Sequence, residues 1–253
     1  MVRSRRSWGL SVGINLDPQK TCNFDCVYCE VIDRREIAKK TGRPPIAAED
    51  VAAELADELE ILSKNPEPVR DIAYAGDGEP STFPGFLPLA ETVFDVRDRA
   101  GLGVPVVLIT NGSGLDRAEM REAHDLFARR NGVFWIKLDA GTEEHFKRIC
   151  RSALPFGGIL RNLTEAARRH PVVVQSMFLR HGGELPSERE IDAYAGRLSD
   201  VLGAGGAISS VQVYTVARET MEPGVAPLSD DELRAIADRV RTASPGVRIE
   251  TYS

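Results

Sequence analysis

The hydrophobic pattern switches repeatedly along the chain, between the short alternating or unbroken apolar runs of strands and the three-to-four-residue spacing of helices. Gly9–Asn15 reads as a first strand. Glu49–Leu62 has apolar positions at helical spacing, with acids in its first turn where the helix dipole favours them. Asp71–Ala75 is a short strand running into Gly76-Asp77-Gly78-Glu79-Pro80, and Pro88–Ala100 is a helix. Val104–Thr110 is apolar and β-branched, as suits a strand buried on both faces. Asp116 is the expected cap of a helix reaching Arg130.

The alternation continues through the second half. Val133–Asp139 is a strand, Thr142–Cys150 a helix with a Thr-Glu-Glu start, Gly158–Arg169 a helix and Val172–Leu179 a strand. Ser187 caps a helix to about Leu202, Val211–Ala217 is a strand, Ser229 caps Asp230–Ala243, and Val247–Tyr252 closes the series. Six strand-then-helix repeats with mainly short connections predict an α/β fold built on a parallel sheet. The strand C-termini then gather at one mouth, where chemistry belongs. The cysteine loop after the first strand, Gly76–Ser81, Thr110-Asn111-Gly112, Asp139, Arg180-His181-Gly182-Gly183 and Thr215–Arg218 all occupy that end. No linker, repeat or low-complexity tract divides the chain, so one domain over 1–253 is expected.

Composition narrows the class. The 253 residues are 42% hydrophobic and 28% charged, values of an ordinary globular protein. No apolar stretch approaches the ~18 residues of a membrane span. Ser4-Arg5-Arg6-Ser7-Trp8 faintly resembles a twin-arginine export signal, but the apolar run Gly9–Leu16 is short and meets Asp17 and Lys20 without a cleavage site. Four cysteines, three of them clustered, suit a reducing cytoplasm rather than a disulfide framework. The net charge of −6 divides into +4 over residues 1–43 and −10 over the remainder. That basic segment, which runs into the insertion 30–48, suits RNA, an acidic partner or a solvated face of mixed charge.

The chemistry centres on Cys22-Asn-Phe-Asp-Cys26-Val-Tyr-Cys29. Three thiolates on a short loop can hold three corners of an iron–sulfur cube and leave the fourth iron open. A structural zinc site wants four protein ligands in two close pairs, and here Cys150 is remote and the four histidines are isolated. Further along, Lys137 and Asp139 alternate with Ile136 and Leu138 and so point to one side of their strand. Such a lysine is expensive unless it is paired or liganded. Cys150, at a helix end one strand-and-helix unit beyond the mouth, is expected far from the cysteine loop and chemically quiet.

The C-x3-C-x2-C spacing with Tyr28 before the last cysteine resembles the signature of the radical S-adenosylmethionine (SAM) superfamily. Within it the chain looks most like the small iron–sulfur oxidoreductases related to wyosine-type tRNA base-forming enzymes. Gly-Glu-Pro at 78–80, Thr-Asn-Gly at 110–112, Lys-Leu-Asp-Ala at 137–140 and Tyr214-Thr-Val-Ala-Arg218 add to the likeness. The resemblance implies a partial (β/α)6 TIM-type barrel. It also implies that Cys22, Cys26 and Cys29 ligate a [4Fe–4S] cluster, with SAM on the open iron. Tyr28 would lie against the adenine. Gly76, Asp77, Gly78 and Glu79, which carry aspartate in place of the first glycine of the superfamily's Gly-Gly-Glu motif, would receive the SAM ammonium. Lys137 would pair with Asp139 or Glu79 or take the SAM carboxylate, and Asp139 would take a ribose hydroxyl. Asn111 is SAM-facing or a turn residue. Of Gln175 and Ser176 only one can face inward, and Gln175 is the cofactor-side candidate. Arg218, with Arg180 and His181, stands on the substrate side or on a surface loop. The implied activity is reductive SAM cleavage, with electrons from a flavodoxin or ferredoxin, on a tRNA base or small molecule. The alternatives are a radical-installing activase of a partner protein and a non-enzymatic iron–sulfur module.

Overall fold

The computed structural model describes residues 2–4, 9–17, 22–30, 46–75 and 77–253. Gly76 and most of the basic insertion, including Arg34, Arg35, Lys39 and Lys40, lie outside the described residues, as does the Arg5-Arg6 pair. Contacts divide the chain into two compact units: Met1–Thr21, Asp33–Thr110 and Gly114–Phe134 form one, and Cys22–Ile32, Asn111–Ser113 and Trp135–Ser253 the other.

In the first unit β1 (Val2–Ser4) pairs antiparallel with β2 (Gly9–Ile14). After α1 (Ala48–Ser63), β3 (Val69–Tyr74) joins β2 in parallel. After α2 (Phe86–Arg99), β4 (Val106–Thr110) joins β3 in parallel, and α3 (Ala118–Arg129) leads into β5 (Gly132–Lys137). Val106, Val107 and Leu108 are buried in succession, as an unbroken apolar strand requires. Tyr74, Phe86, Phe94, Phe127 and Phe134 form the aromatic heart of this unit, with ring centroids 5.0–6.3 Å apart.

The helix to Arg130 departs from expectation at its start. It begins at Ala118, with Arg117 rather than Asp116 at the cap position and no side-chain cap. The Arg117 guanidinium donates to the carbonyls of Ser81 and Phe83, at 2.8 and 3.2 Å, which holds its backbone extended and delays the first turn.

The second unit continues from β5 through α4 (Glu143–Ile149), α5 (Phe156–Arg169), β6 (Val172–Met177), β7 (Arg180–His181), α6 (Glu188–Gly203), β8 (Ile208–Tyr214), β9 (Val225–Ala226), α7 (Asp230–Ala243) and β10 (Arg248–Tyr252). β6 pairs in parallel with β5 and β8, and β8 in parallel with β10. The expected caps are present: Thr142, Ser187 and Ser229 each accept a backbone N–H of the first turn, and Glu232 completes a capping box with Ser229. Both units thus have the predicted α/β character, parallel strands alternating with helices. The two-residue strands β7 and β9, antiparallel to each other, had no counterpart in the sequence pattern.

Gly141, just past the end of β5, has a packing reason to be glycine. A Cβ there would lie 2.0 Å from the Tyr194 nitrogen and 2.5 Å from the Ala193 carbonyl carbon, both backbone atoms of α6. Gly141→Ala should therefore cost about 1–3 kcal/mol. Denaturant titration should show an earlier midpoint at unchanged slope, and an unshifted midpoint would refute the close approach.

Candidate functional site

The cysteine loop is held by its apolar residues, while its cysteines stay half-buried. Phe24 packs edge-on against Phe146 of α4, with centroids 5.5 Å apart. Val27 is buried with Ile149, Leu179 and Val216, and Tyr28 and Met177 pack on that cluster. Two backbone bonds fasten the loop to the end of α4, Asp25 N–H to Cys150 O at 3.1 Å and Val27 N–H to Ile149 O at 2.9 Å. Cys22, Cys26, Cys29 and Cys150 are all outside any disulfide.

Here the structure corrects the reading of Cys150. It is buried but not remote, because α4 is only seven residues long and the loop folds back onto its C-terminal end. The Cys26 and Cys150 thiols are neighbours, and their interaction draws the Cys26 thiol below its ordinary pKa against the opposing effect of burial and pushes Cys150 well up.

Asn111 is both a turn residue and a neighbour of the loop. Its carbonyl oxygen accepts the Ser113 N–H at 2.9 Å, and its amide donates to Asn23 Oδ1 at 3.0 Å and toward Cys22 Sγ at 3.8 Å.

Asp139 is the centre of a buried polar cluster. Its Oδ2 accepts the Tyr28 hydroxyl and lies 3.3 Å from Lys137 Nζ, while Oδ1 accepts the Met177 N–H at 2.8 Å. Lys137 also donates to the Tyr214 hydroxyl at 2.6 Å, with its ammonium 5.0 Å from the Tyr28 ring centroid and 5.2 Å from that of Tyr214. Burial alone would lower the Lys137 pKa, but the Asp139 carboxylate and Tyr214 outweigh it and the net shift is upward, so the lysine is a cation. Burial, then Asp139, raises the Tyr28 phenol, which stays a proton donor. Tyr214 was legible only as part of a motif; its place at the end of β8 was the available signal.

Gln175 of β6, register partner of Lys137, is fully buried and donates to Gln212 at 2.8 Å. Its carbonyl oxygen has no partner among the described residues. Ser176 faces the other way, to the Tyr194 hydroxyl.

In the first unit the Asp77–Glu79 turn is tightly built. Gly78 has φ +87°, and a Cβ there would overlap the Asp17 carboxylate at 2.3 Å. Asp77 Oδ2 accepts from Asn15 at 3.2 Å. Glu79 is buried, and its Oε1 accepts the Ser81 N–H at 2.9 Å and the Thr110 hydroxyl.

The loop after β8 closes over the cysteine loop. Arg218 pairs with Glu30 at 2.7 Å, and Met221 N–H reaches Cys29 O at 3.5 Å. Glu222, which sequence reasoning missed, accepts from Arg151 and lies 3.0 Å from His181 Nε2. Arg180 pairs with Glu232 instead.

Among the described residues no three His, Cys, Asp or Glu side chains converge to hold a single metal ion. A cubane cluster asks for something else, since its thiolates bind different irons. Three unbridged, half-buried thiols on one anchored loop fit that demand.

Residues 16–191 match the model of the radical SAM superfamily, and the chain belongs to that superfamily. Its enzymes use a [4Fe–4S] cluster and SAM and typically need a reductant. Over 229 residues the chain is 28% identical to the GTPase Obg of Brachyspira hyodysenteriae, covering 89% of this chain and 31% of that protein. Over 121 residues it is 35% identical to the UPF0026 protein of Methanocaldococcus jannaschii, covering 47% and 34%. The chain therefore spans about a third of the length of these relatives. Native anSMEcpe with bound AdoMet aligns with 96% of this chain and 64% of its own at TM-score 0.54 and 12% identity, which shows the expected partial-barrel fold. Archaeal TYW1 aligns over 81% and 67% at TM-score 0.47 and 13% identity. No helix among the described residues is long and apolar enough to cross a membrane.

Glu222 supplies a pH test. Burial raises its pKa, but the bonds from His181 and Arg151 outweigh this and hold it below its ordinary 4.5. Its ion pairs thus stabilise the fold above that value and are lost as pH falls through the lowered pKa. Glu222→Gln should remove that part of the acid dependence. Wild type and variant with parallel stability-versus-pH curves below pH 5 would contradict the pairing.

Proposed function

We propose that this protein is a radical SAM enzyme whose Cys22, Cys26 and Cys29 bind one [4Fe–4S] cluster. The cluster, when bound, supplies the electron that cleaves SAM to a 5′-deoxyadenosyl radical. The observation that carries this reading is the C-x3-C-x2-C loop of unbridged thiols within the superfamily match. The remaining residues have assignable tasks. Phe24 and Val27 anchor the loop, and Asn111 steadies Cys22. Tyr28 presents its ring beside the cluster loop and gives its hydroxyl proton to a hydrogen bond with Asp139. Lys137 offers a cation suited to the SAM carboxylate, and the unpartnered Gln175 carbonyl accepts a donor from the bound cofactor. Glu79, with Gly76, Asp77 and Gly78, is assigned to the SAM ammonium. Arg218 belongs to the covering loop on the substrate side. A flavodoxin- or ferredoxin-type protein supplies electrons in the cytoplasm. The name of the Obg relative is not carried over: this chain has no Gly-Lys dipeptide of a phosphate-binding loop.

Anaerobic reconstitution with iron and sulfide should load about four irons per chain with a broad visible absorption. Adding SAM and a low-potential reductant should then release 5′-deoxyadenosine. Alanine at Cys22, Cys26 or Cys29 should abolish all three signals. Tight binding of one zinc without iron uptake would sink the reading, and a loaded cluster that leaves SAM intact would favour the non-enzymatic module.

Lys137→Met should keep the iron but weaken SAM binding in calorimetry by about 1.5–3 kcal/mol, the strength of a charge-assisted bond. Unchanged affinity would leave Lys137 as the structural partner of Asp139. For a tRNA substrate, neutralising Arg34, Arg35, Lys39 and Lys40 together should flatten the salt dependence of tRNA binding by up to about four phosphate contacts. No tRNA binding by the wild type at low salt would leave the small-molecule substrate.

A further inference from the structure

The bonds from Asp25 N–H to Cys150 O and from Val27 N–H to Ile149 O, at 3.1 and 2.9 Å, bracket Cys26. Backbones joined by such bonds lie about 5 Å apart, within the Cα separations that disulfides span. The two thiols are neighbours that shift one another's ionisation. Both flanks are pinned, by Val27 and Ile149 in one buried cluster and by Phe24 against Phe146. Cys22 has other neighbours, accepting the Phe24 N–H at 3.4 Å and facing the Asn111 amide. Access is unequal: Cys26 is half-buried, whereas Cys150 is 2% exposed. An open thiol beside a sheltered one is the arrangement of an attacking and a resolving cysteine.

We propose that Cys26 and Cys150 form a thiol–disulfide pair: in the iron-free protein, hydrogen peroxide oxidises them to a disulfide that withholds Cys26 from cluster assembly until a thiol reductant releases it. The regulatory consequence rests on Cys26 being a cluster ligand; the disulfide itself does not. The chemistry takes two steps. The Cys26 sulfur attacks peroxide, the O–O bond breaks, and one water leaves as a sulfenic acid forms. The Cys150 sulfur then attacks the Cys26 sulfur, the S–O bond breaks, and its thiol proton departs with hydroxide as a second water. Two thiols lose two electrons and two protons, and one peroxide becomes two waters. Cys150 has to meet only Cys26, so its burial is no obstacle. The disulfide also stops Cys26 short of the irreversible sulfinic acid.

The test uses the full iron-free chain, treated with equimolar hydrogen peroxide, alkylated and digested without reduction for mass spectrometry. The expected result is a linked Cys26–Cys150 peptide that disappears with dithiothreitol, with Cys22 and Cys29 alkylated. A Cys26–Cys29 or Cys22–Cys26 link with Cys150 alkylated would overturn the proposal, as would four intact thiols. The oxidised chain should take up iron only after dithiothreitol, and uptake without it would overturn the withholding role. Untreated Cys150→Ala should load iron as the wild type does; loss of iron from a folded variant would make Cys150 a fourth ligand and overturn the switch. If the untreated wild type binds no iron yet still forms the linked peptide, the cluster reading fails and the disulfide stands.

Discussion

The second unit depends on one buried carboxylate. Asp139 receives a hydroxyl from the cysteine loop, a backbone N–H from the end of β6 and the ammonium of Lys137, which in turn reaches Tyr214 at the end of β8. Three strands and the loop are thereby joined through four polar groups. Stripping the charge from its centre would strand a largely buried ammonium and a part-buried phenol, and breaking such a pair is far costlier than never having built it. Arg97 plays a comparable part in the first unit, buried and donating to the carbonyls of Val104 and Arg130 at 3.2 and 2.8 Å.

What the sequence made legible was what local chemistry decides. Thr142, Ser187 and Ser229 are recognisable caps because the groups they satisfy lie three residues on. Lys137 and Asp139 were expected on one side because side chains alternate along a strand, and they pair. The order of the longer strands and helices followed from the hydrophobic pattern. What escaped was set by groups distant in sequence. Asp116 lost the cap position because carbonyls more than thirty residues away hold Arg117. Two-residue strands such as β7 and β9 have no period to detect. Cys150 was misplaced because helix direction was used without helix length, and seven residues carry the chain too short a way to leave the loop.

The Asp77–Glu79 turn fixes its own carboxylate. Glu79 Oε1 organises the turn beginning at Pro80 and accepts from Thr110, so the fold itself holds its orientation. Changing this residue would also disturb the turn, whereas Lys137 probes charge without touching backbone geometry.

The unpartnered carbonyl of Gln175 has a thermodynamic consequence. A buried acceptor without a donor costs about 1–3 kcal/mol. A molecule that brings a donor to it regains that free energy only in the folded chain. Occupancy and folding are then one linked equilibrium, and the concentration of that molecule in the cell helps set how much of the protein survives unfolding.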